Sequence, residues 1–351
     1  MKTTHWVLVY SICIMALALG IYGTRILRYE VGKVEGMEQG DPWDFIDVLY
    51  YLPICGFARW LFDYLFAEKI INRLRMVDRL NYERKKSKST KEGYNIIRYS
   101  IMVIVALYLF YDTILLPKMC LGKFECGEFA RYIMTIKPDA KLRFYFSIQF
   151  SFHGVTLIEF LYKNWMERVP EFHELFLHHC LAQILCIFCY STSVFQFGIA
   201  LLFVSDLSDT FMTSVRFLRD MKFQVPLISI STFETIIFCI MLFFWTYSRV
   251  GVAAYCLFKG AVVGLYHGLN GDAAWFASPN LNQLLHLAPY FLSILVLLLP
   301  LICLNLYWTF MVLEIAYHRI FSEEQNFAIR RWGEKEKLKG QTADSDKKKT
   351  T

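Results

Sequence analysis

The hydrophobic positions of this chain fall into long blocks separated by short polar connections. Eight blocks are near the length of about 20 residues that crosses a hydrocarbon core. They are 6–24, 44–66, 97–117, 144–162, 176–197, 198–216, 228–248 and 288–314. Glycines and Lys259 make segment 251–270 more typical of an interfacial or re-entrant stretch. The pattern therefore predicts an all-α, polytopic membrane protein with about eight transmembrane helices.

Two neighbouring blocks carry side chains that lipid disfavours. His178 and His179 open the block 176–197, and Asp206 and Asp209 lie inside the block 198–216. An aspartate at the centre of a membrane helix costs about 2.5–3.5 kcal/mol on insertion scales. Because the two carboxylates are spaced i, i+3, they share one helical face, which Thr213 continues. These residues predict a polar seam inside a helical bundle.

The two halves of this seam are predicted at different depths. Counted from a turn near Phe197, His179 lies about 27 Å along its helix, and the aspartates lie about 14 and 18 Å along theirs. Straight helices would thus separate them by about 9–14 Å, beyond hydrogen-bonding distance. We expect a polar groove that a tilt, a break or a substrate bridges. Polar residues that can line it are Gln183, Ser191, Ser193, Ser205, Ser208 and Thr210.

Structural interpretations of the same residues remain open. A histidine pair at a helix end can serve as an interfacial anchor. An intramembrane aspartate can be a structural hydrogen-bond partner or can pair with Arg59. The buried polar residues His153, Glu159 and Glu234 can brace helices.

Composition and charge agree with a membrane location. Of the 351 residues, 56% are apolar and 17% aromatic. Lys and Arg divide 25 to 11 between the two sets of connections, with Arg59 inside a span. The richer side is predicted to be cytosolic, which places both termini in the cytosol if there are eight spans. The net charge of +6 therefore requires no nucleic-acid partner.

The polar segments divide the chain into three regions. Residues 1–96 hold the first spans and a basic cytosolic loop, 97–317 hold the motif, and 318–351 form a tail predicted to be disordered. The tail ends in DKKKTT, so Lys348 and Lys349 match a dilysine retrieval signal of the endoplasmic reticulum. Cys120 and Cys126, in a predicted lumenal loop, could form a disulfide. No zinc-type spacing of Cys or His is present, so no metal site is expected.

Three segments carry a family resemblance. FYFSIQFSFHGVTLIEF, VPEFHELFLHHC and SDLSDTFM follow one another between about 144 and 220. In order and spacing they resemble the TLC domain of ceramide synthases, the longevity-assurance family. The family signature is a His-His pair followed some 28 residues later by DxxD, here His178, His179, Asp206 and Asp209. The likeness extends more loosely to YSRVGVAAY and LNLYWTFMVLEI, so it covers most of 97–320.

The resemblance implies N-acylation of a sphingoid base by a fatty acyl-CoA, with no bound cofactor or metal. The implied catalytic residues are His178, His179, Asp206 and Asp209. A neutral histidine can take the amine proton, or it can attack first to give an acyl-imidazole. An aspartate can orient the imidazole or bind the cationic amine. Substrate-binding candidates are Gln183, Ser205, Arg216 and Arg219, with the CoA head group at the cytosolic mouth near Lys163, Arg168, Arg216, Arg219 or Lys222.

The chain departs from the family in three respects. Ser205 stands where many animal members have a histidine, and Arg216 stands where a lysine is expected. The homeobox-like insert of many vertebrate members is replaced by the short loop 67–96. The alternative function is a non-catalytic TLC-domain protein that binds, escorts or senses lipids in the endoplasmic reticulum. Membrane lipids are expected partners, and homo- or hetero-oligomers or a small accessory subunit remain open.

Overall fold

A computed structural model shows a helical protein, with no β-strand in the part of the chain that it describes. The described residues are 42–77, 82–123, 125, 137–167, 172–191, 194–222, 230–260, 262–263 and 281–321. The helices are α1 (Val48–Val77), α2 (Tyr82–Phe110), α3 (Ala140–Glu167), α4 (Phe172–Ser191), α5 (Phe195–Met221), α6 (Ile230–Trp245) and α7 (Leu281–Phe321). A π-helical segment, Thr246–Leu257, directly continues α6. The all-α prediction is confirmed.

Four helical segments within the described residues are long and apolar enough to cross a membrane. They are Lys88–Phe110, Phe195–Met221, Thr232–Gly260 and Leu297–Tyr317. The helix Leu175–Ser191 is apolar but shorter. The predicted first span, 6–24, lies outside the described residues, and the total of eight spans stays a prediction.

Some predicted span boundaries were wrong. The boundary between the blocks 176–197 and 198–216 falls between Ser191, where α4 ends, and Phe195, where α5 begins. The block 97–117 ends as a helix at Phe110, because the chain turns there. The Thr113 hydroxyl donates to the Phe110 carbonyl at 2.7 Å, and Leu121 adopts a left-handed conformation with φ of 64°. Residues 251–260 continue the helix of α6 instead of forming a separate interfacial stretch. The wider π-helical turn accommodates this sequence without ending the helix.

Helix α5 occupies the centre of the bundle. It contacts α1, α2, α3, α4, α6 and the π-helical segment. All residues from 195 to 204 are buried, so the first half of the helix is enclosed on every side. A helix that is apolar all round is typical of such a central position. The aspartate pair of the sequence motif is therefore carried by the central helix.

A small residue lets three helices approach near this centre. A Cβ atom at Gly198 of α5 would lie 2.8 Å from the Phe146 ring of α3 and 3.0 Å from the Cys189 Cβ of α4. Any larger residue would have to displace both neighbours. Gly198 thereby fixes how closely α3 and α4 pack against the helix that carries the aspartates.

The chain divides into two compact units, residues 1–304 and 305–351. Every residue of the candidate site described below lies in the first unit. In the second unit, Thr309 donates its hydroxyl to the Asn305 carbonyl of its own helix at 2.7 Å.

Candidate functional site

The histidine pair lies in the first half of α4, and His179 faces α3. The rings of His178 and His179 have centroids 5.5 Å apart. The His179 ring also lies 6.4 Å from that of His153 on α3 and 6.4 Å from that of Phe160. His153, which sequence reasoning treated as a brace, is thus a third imidazole beside the motif. Its position in an otherwise apolar block was the signal that could have identified it.

Asp209 is held by a buried arginine. Arg249, in the π-helical segment, is only 2% exposed, whereas the Asp209 side chain is 26% exposed. Its guanidinium donates to Asp209 Oδ1 at 2.6 Å and to Ser208 Oγ at 2.7 Å. The Trp245 ring, with its centroid 5.2 Å away, covers the same guanidinium. A charge-assisted bond from an enclosed Arg fixes this carboxylate in one orientation.

The suggested pairing of an intramembrane aspartate of the motif with Arg59 was wrong. Arg59 of α1 bonds Asp63 at 2.8 Å on its own helix and Glu159 of α3 at 3.2 Å. Arg59 thus contacts Asp63, four residues later on its own helix, and Glu159 on the facing helix. Because it joins the two helices in this way, Arg59 stabilises the α1–α3 contact. Arg249 is the arginine of the motif instead.

Asp206 is enclosed more completely and has a neutral partner. It is 2% exposed, and the Gln149 amide of α3 donates to its Oδ2. The same amide nitrogen lies 3.3 Å from the Tyr145 hydroxyl. The two carboxylates of DxxD therefore differ: Asp209 faces a fixed positive charge, whereas Asp206 faces a dipole. This difference allows them to have different roles.

No hydrogen bond joins His179 to either aspartate within the described residues. Among charged groups, however, Asp209 has the largest electrostatic interaction with His179. Arg249 also lies within electrostatic range of both motif histidines. The helices thus bring the two halves of the motif to similar depth, since His179 lies 12 residues before the end of α4 at Ser191 and Asp206 lies 11 residues after the start of α5 at Phe195. The predicted depth difference of about 9–14 Å was wrong, because it was counted from a turn near Phe197.

A second buried arginine borders the site. Arg98 of α2 is 4% exposed and donates to the Thr156 hydroxyl at 2.6 Å and to the Phe152 carbonyl at 3.3 Å. Its guanidinium lies 4.1 Å from the Tyr99 ring centroid. Sequence reasoning did not single out Arg98, which lies at the start of the block 97–117. A cation directly followed by an apolar block was the available signal.

The hydroxyl residues of α5 mostly bond their own helix. Thr210 donates to the Asp206 carbonyl at 2.8 Å, and Thr213 donates to the Asp209 carbonyl at 2.6 Å. Such back-bonding satisfies the hydroxyl locally and leaves it little capacity for a ligand. Ser205 is half-buried, and its hydroxyl meets no partner within the described residues. Of these residues, Ser205 is therefore the one whose hydroxyl does not bond its own helix.

The basic candidates lie at the C-terminal end of α5. Arg216 is 48% exposed and lies 3.7 Å from Glu92 of α2. Arg219 is 50% exposed and lies 3.8 Å from Asp220. Lys88 of α2 is within electrostatic range of both arginines. Exposed and loosely paired cations of this kind remain available to an anionic ligand.

The described residues hold no group of three or more His, Cys, Asp or Glu side chains arranged to bind a metal ion. Cys120 is a buried free thiol, while Cys126 lies outside the described residues. The predicted disulfide between them stays a prediction.

Comparison with known proteins identifies the family. Residues 88–314 match the family model described as TRAM_LAG1_CLN8, the TLC domain. The match covers more than half of the chain and includes both halves of the motif, Gln149, His153 and Arg249. A comparison with curated proteins returned no match.

Proposed function

The chain belongs to the TLC domain family, and on that premise we propose that it is a ceramide synthase. It transfers a fatty acyl group from acyl-CoA to the amine of a sphingoid base. The family also includes non-catalytic, lipid-related members. The choice between the two therefore rests on the site of this chain.

The observation that supports catalysis is the enclosed contact of α4 with α5. Helix α4 carries the histidine pair, and α5 carries Asp209, which Arg249 of the π-helical segment holds at 2.6 Å. A protein that only carries lipid needs an apolar groove, and a buried ion pair beside three imidazoles would be costly there. An acyl transfer, by contrast, needs a base, a group to stabilise its positive charge and exclusion of water.

The proposed reaction begins with the sphingoid amine in its neutral form. The amine nitrogen attacks the thioester carbonyl while His179 takes a proton from it. The C–N bond forms, the C–S bond breaks, and the imidazolium gives its proton to the departing thiolate of CoA. Asp209 stabilises the imidazolium, and Arg249 holds the carboxylate in position. An alternative order has His179 form an acyl-imidazole first, which releases CoA before the amine attacks.

The location and the CoA contacts belong to the same proposal. The protein resides in the membrane of the endoplasmic reticulum, with Lys348 and Lys349 on a cytosolic tail. The CoA head group lies at the cytosolic end of α5, near Arg216 and Arg219. This placement is supported by the cost of moving phosphates into hydrocarbon and by the exposure of both guanidinium groups.

The test is a direct assay of purified protein. It is incubated with sphinganine and mixed acyl-CoAs, and dihydroceramide is measured by mass spectrometry. Four variants are compared with wild type: His178→Ala, His179→Ala, Asp206→Asn and Asp209→Asn. Each should lower turnover by at least about 100-fold, because general acid–base groups contribute about 10²–10⁴-fold.

His173→Ala is the matched control. His173 is an exposed histidine on the first turns of the same helix, so its loss should leave turnover within about 2-fold. All variants must accumulate in membranes at wild-type levels. Near-normal turnover in both motif-histidine variants would exclude a catalytic role for these histidines, and a wild-type protein that makes no dihydroceramide would favour the lipid-binding alternative.

A further inference from the structure

Helix α1 leaves one long face exposed. On its inner side it packs against α2 and α3. On its outer side, large aromatic and aliphatic side chains recur at every third or fourth position, which places them on one helical face. Tyr50, Phe57 and Tyr64 are 70%, 59% and 73% exposed. We call this face the α1 ridge, and its members are Tyr50, Ile54, Phe57, Trp60, Leu61 and Tyr64.

The α1 ridge is bordered by charge. Phe57 stacks on Trp60, with ring centroids 5.4 Å apart. One helical turn after Trp60, Asp63 shares the Arg59 guanidinium with Glu159, and the two acidic side chains are 41% and 35% exposed. Carboxylates that lie against hydrocarbon are costly. A protein segment that covers the ridge would shield this ion cluster from lipid, so the ridge suits a helix better than acyl chains.

The chain contains a segment of complementary shape. Residues 1–41 lie outside the described residues and include the apolar block 6–24, the predicted first span. In that block, small side chains are spaced i, i+3, i+7 and i+10, which places them on one helical face. These residues form the small-residue face, and they are Cys13, Ala16, Gly20 and Gly23. Because small residues let membrane helices approach closely, such a face can receive a ridge of large side chains.

The connection between the two segments sets their relative direction. Residues 25–41 alone separate the block 6–24 from the 3-10 helix Pro42–Asp47, which leads directly into α1. Elements that are consecutive in the chain are usually neighbours in space. Two consecutive spans cross a bilayer in opposite directions, so the block 6–24 is expected to be antiparallel to α1.

We propose that the predicted span 6–24 packs antiparallel against the α1 ridge through its small-residue face. When the centres of the two predicted blocks lie at the same depth, Cys13 is opposite Phe57 and Ala16 is opposite Ile54. The α1 ridge is thus an interaction surface for the N-terminal segment of the same chain. The inference is independent of the proposed acyltransferase function, because it involves no residue of the catalytic motif.

Disulfide cross-linking of the full-length protein in native membranes tests this contact. Phe57→Cys places a thiol opposite the native Cys13, and a protease site inserted in 25–41 separates the two segments after oxidation. The fragments should remain joined on a non-reducing gel at a yield at least about 10-fold above that of Phe243→Cys, because a disulfide needs Cα atoms about 4.4–6.8 Å apart. Phe243 is the matched control, since it is a phenylalanine of α6 that is 65% exposed. Adding Cys13→Ser to Phe57→Cys should abolish the product.

Two substitutions in the block test the small-residue face itself. Ala16→Leu should reduce the cross-link between Phe57→Cys and Cys13 by at least about 5-fold, because a larger side chain keeps the two helices apart. Ala18→Leu makes the same change on the opposite side of the block and should leave the yield within about 2-fold of that without it. Equal yields in the two variants would contradict packing through this face.

Other results would also overturn the inference. A product of twice the protein's mass that forms in place of the internal cross-link would assign the ridge to a second copy. Without any cross-link, labelling of Phe57→Cys by a lipid-soluble maleimide would assign the ridge to lipid, and protection from the label would assign it to another protein. Equal yields in Phe57→Cys and Phe243→Cys would show random collision. If Phe57→Cys does not accumulate in membranes, Ala16→Cys combined with Ile54→Cys tests the same contact one turn away.

Discussion

Replacing Arg249 by methionine tests the buried ion pair at the centre of the site. Methionine is flexible enough to fill the space of the arginine stem, but it carries no charge and no donor. The substitution removes the 2.6 Å bond to Asp209 and the 2.7 Å bond to Ser208. Asp209 would then remain in the bundle without its cation.

The magnitude follows from the burial of the two partners. Breaking a buried pair by removing one partner costs about 3–5 kcal/mol. Because the Asp209 side chain is 26% exposed, partial hydration places the expected loss near the lower end, at about 3 kcal/mol. Asp209→Asn should cost a similar amount, since it leaves the buried guanidinium of Arg249 without its carboxylate. The double variant that combines Arg249→Met with Asp209→Asn should be no less stable than either single variant. The coupling energy between the two side chains is then about 3 kcal/mol.

The free energy of unfolding can be measured in detergent micelles by tryptophan fluorescence during denaturant titration. Arg249→Lys keeps the charge, but its ammonium lacks the planar fork that reaches both partners, so an intermediate loss is expected. Lys259→Met is the matched control, because Lys259 is an exposed cation on the same continuous helix. It should change stability by less than about 0.5 kcal/mol. Additive losses in the double variant would refute the reasoning, since they would mean that the two side chains do not depend on each other.

Three further predictions concern the ends of the helices, the tail and the loop after α2. Arg216→Ala should raise the KM for acyl-CoA more than the KM for sphinganine, with chain-length preference unchanged; unchanged KM values with lower protein amounts would indicate a topology anchor instead. Serine at both Lys348 and Lys349 should let a fraction of the protein leave the endoplasmic reticulum, as detected by microscopy, and a tail protected from protease in sealed microsomes would contradict the cytosolic orientation. Burial raises the pKa of Cys120 to about 12, so this thiol should react slowly with iodoacetamide at pH 8 in the folded protein and rapidly after unfolding in SDS. Because the unfolded thiol ionises near 9.0, the free energy of unfolding, measured relative to that of Cys120→Ala, should fall as the pH rises above that value. If the unfolded protein cannot be labelled at Cys120 without a reductant, this cysteine forms a disulfide.

Much of the fold could be predicted from the hydrophobic pattern. The blocks 176–197 and 198–216 correspond to α4 and α5, which are joined by a short connection around 192–194. A short connection makes consecutive helices antiparallel neighbours, so the motif histidines and aspartates had to lie on adjacent helices. The placement of both aspartates on one face also followed from their spacing alone.

The partners of the motif could not be predicted in the same way. Gln149 belongs to α3, and Arg249 belongs to the π-helical segment 40 residues after Asp209. Their contacts depend on how α5 packs against both elements, which no local periodicity records. The sequence indicated Arg59 as a partner because it is an arginine inside an apolar block, but packing places it against Glu159.

By itself, the sequence determined the helical membrane class, the pairing of α4 with α5 and the ionisable residue types of the motif. These properties follow from block length, from i, i+3 spacing and from the cost of placing carboxylates in lipid. The tertiary structure decided how each carboxylate is held, Asp209 by a cation and Asp206 by an amide, and it placed a third imidazole, His153, near His179. The physical reason is that burial and pairing depend on contacts between helices distant in sequence, whereas the hydrophobic pattern constrains each helix one at a time.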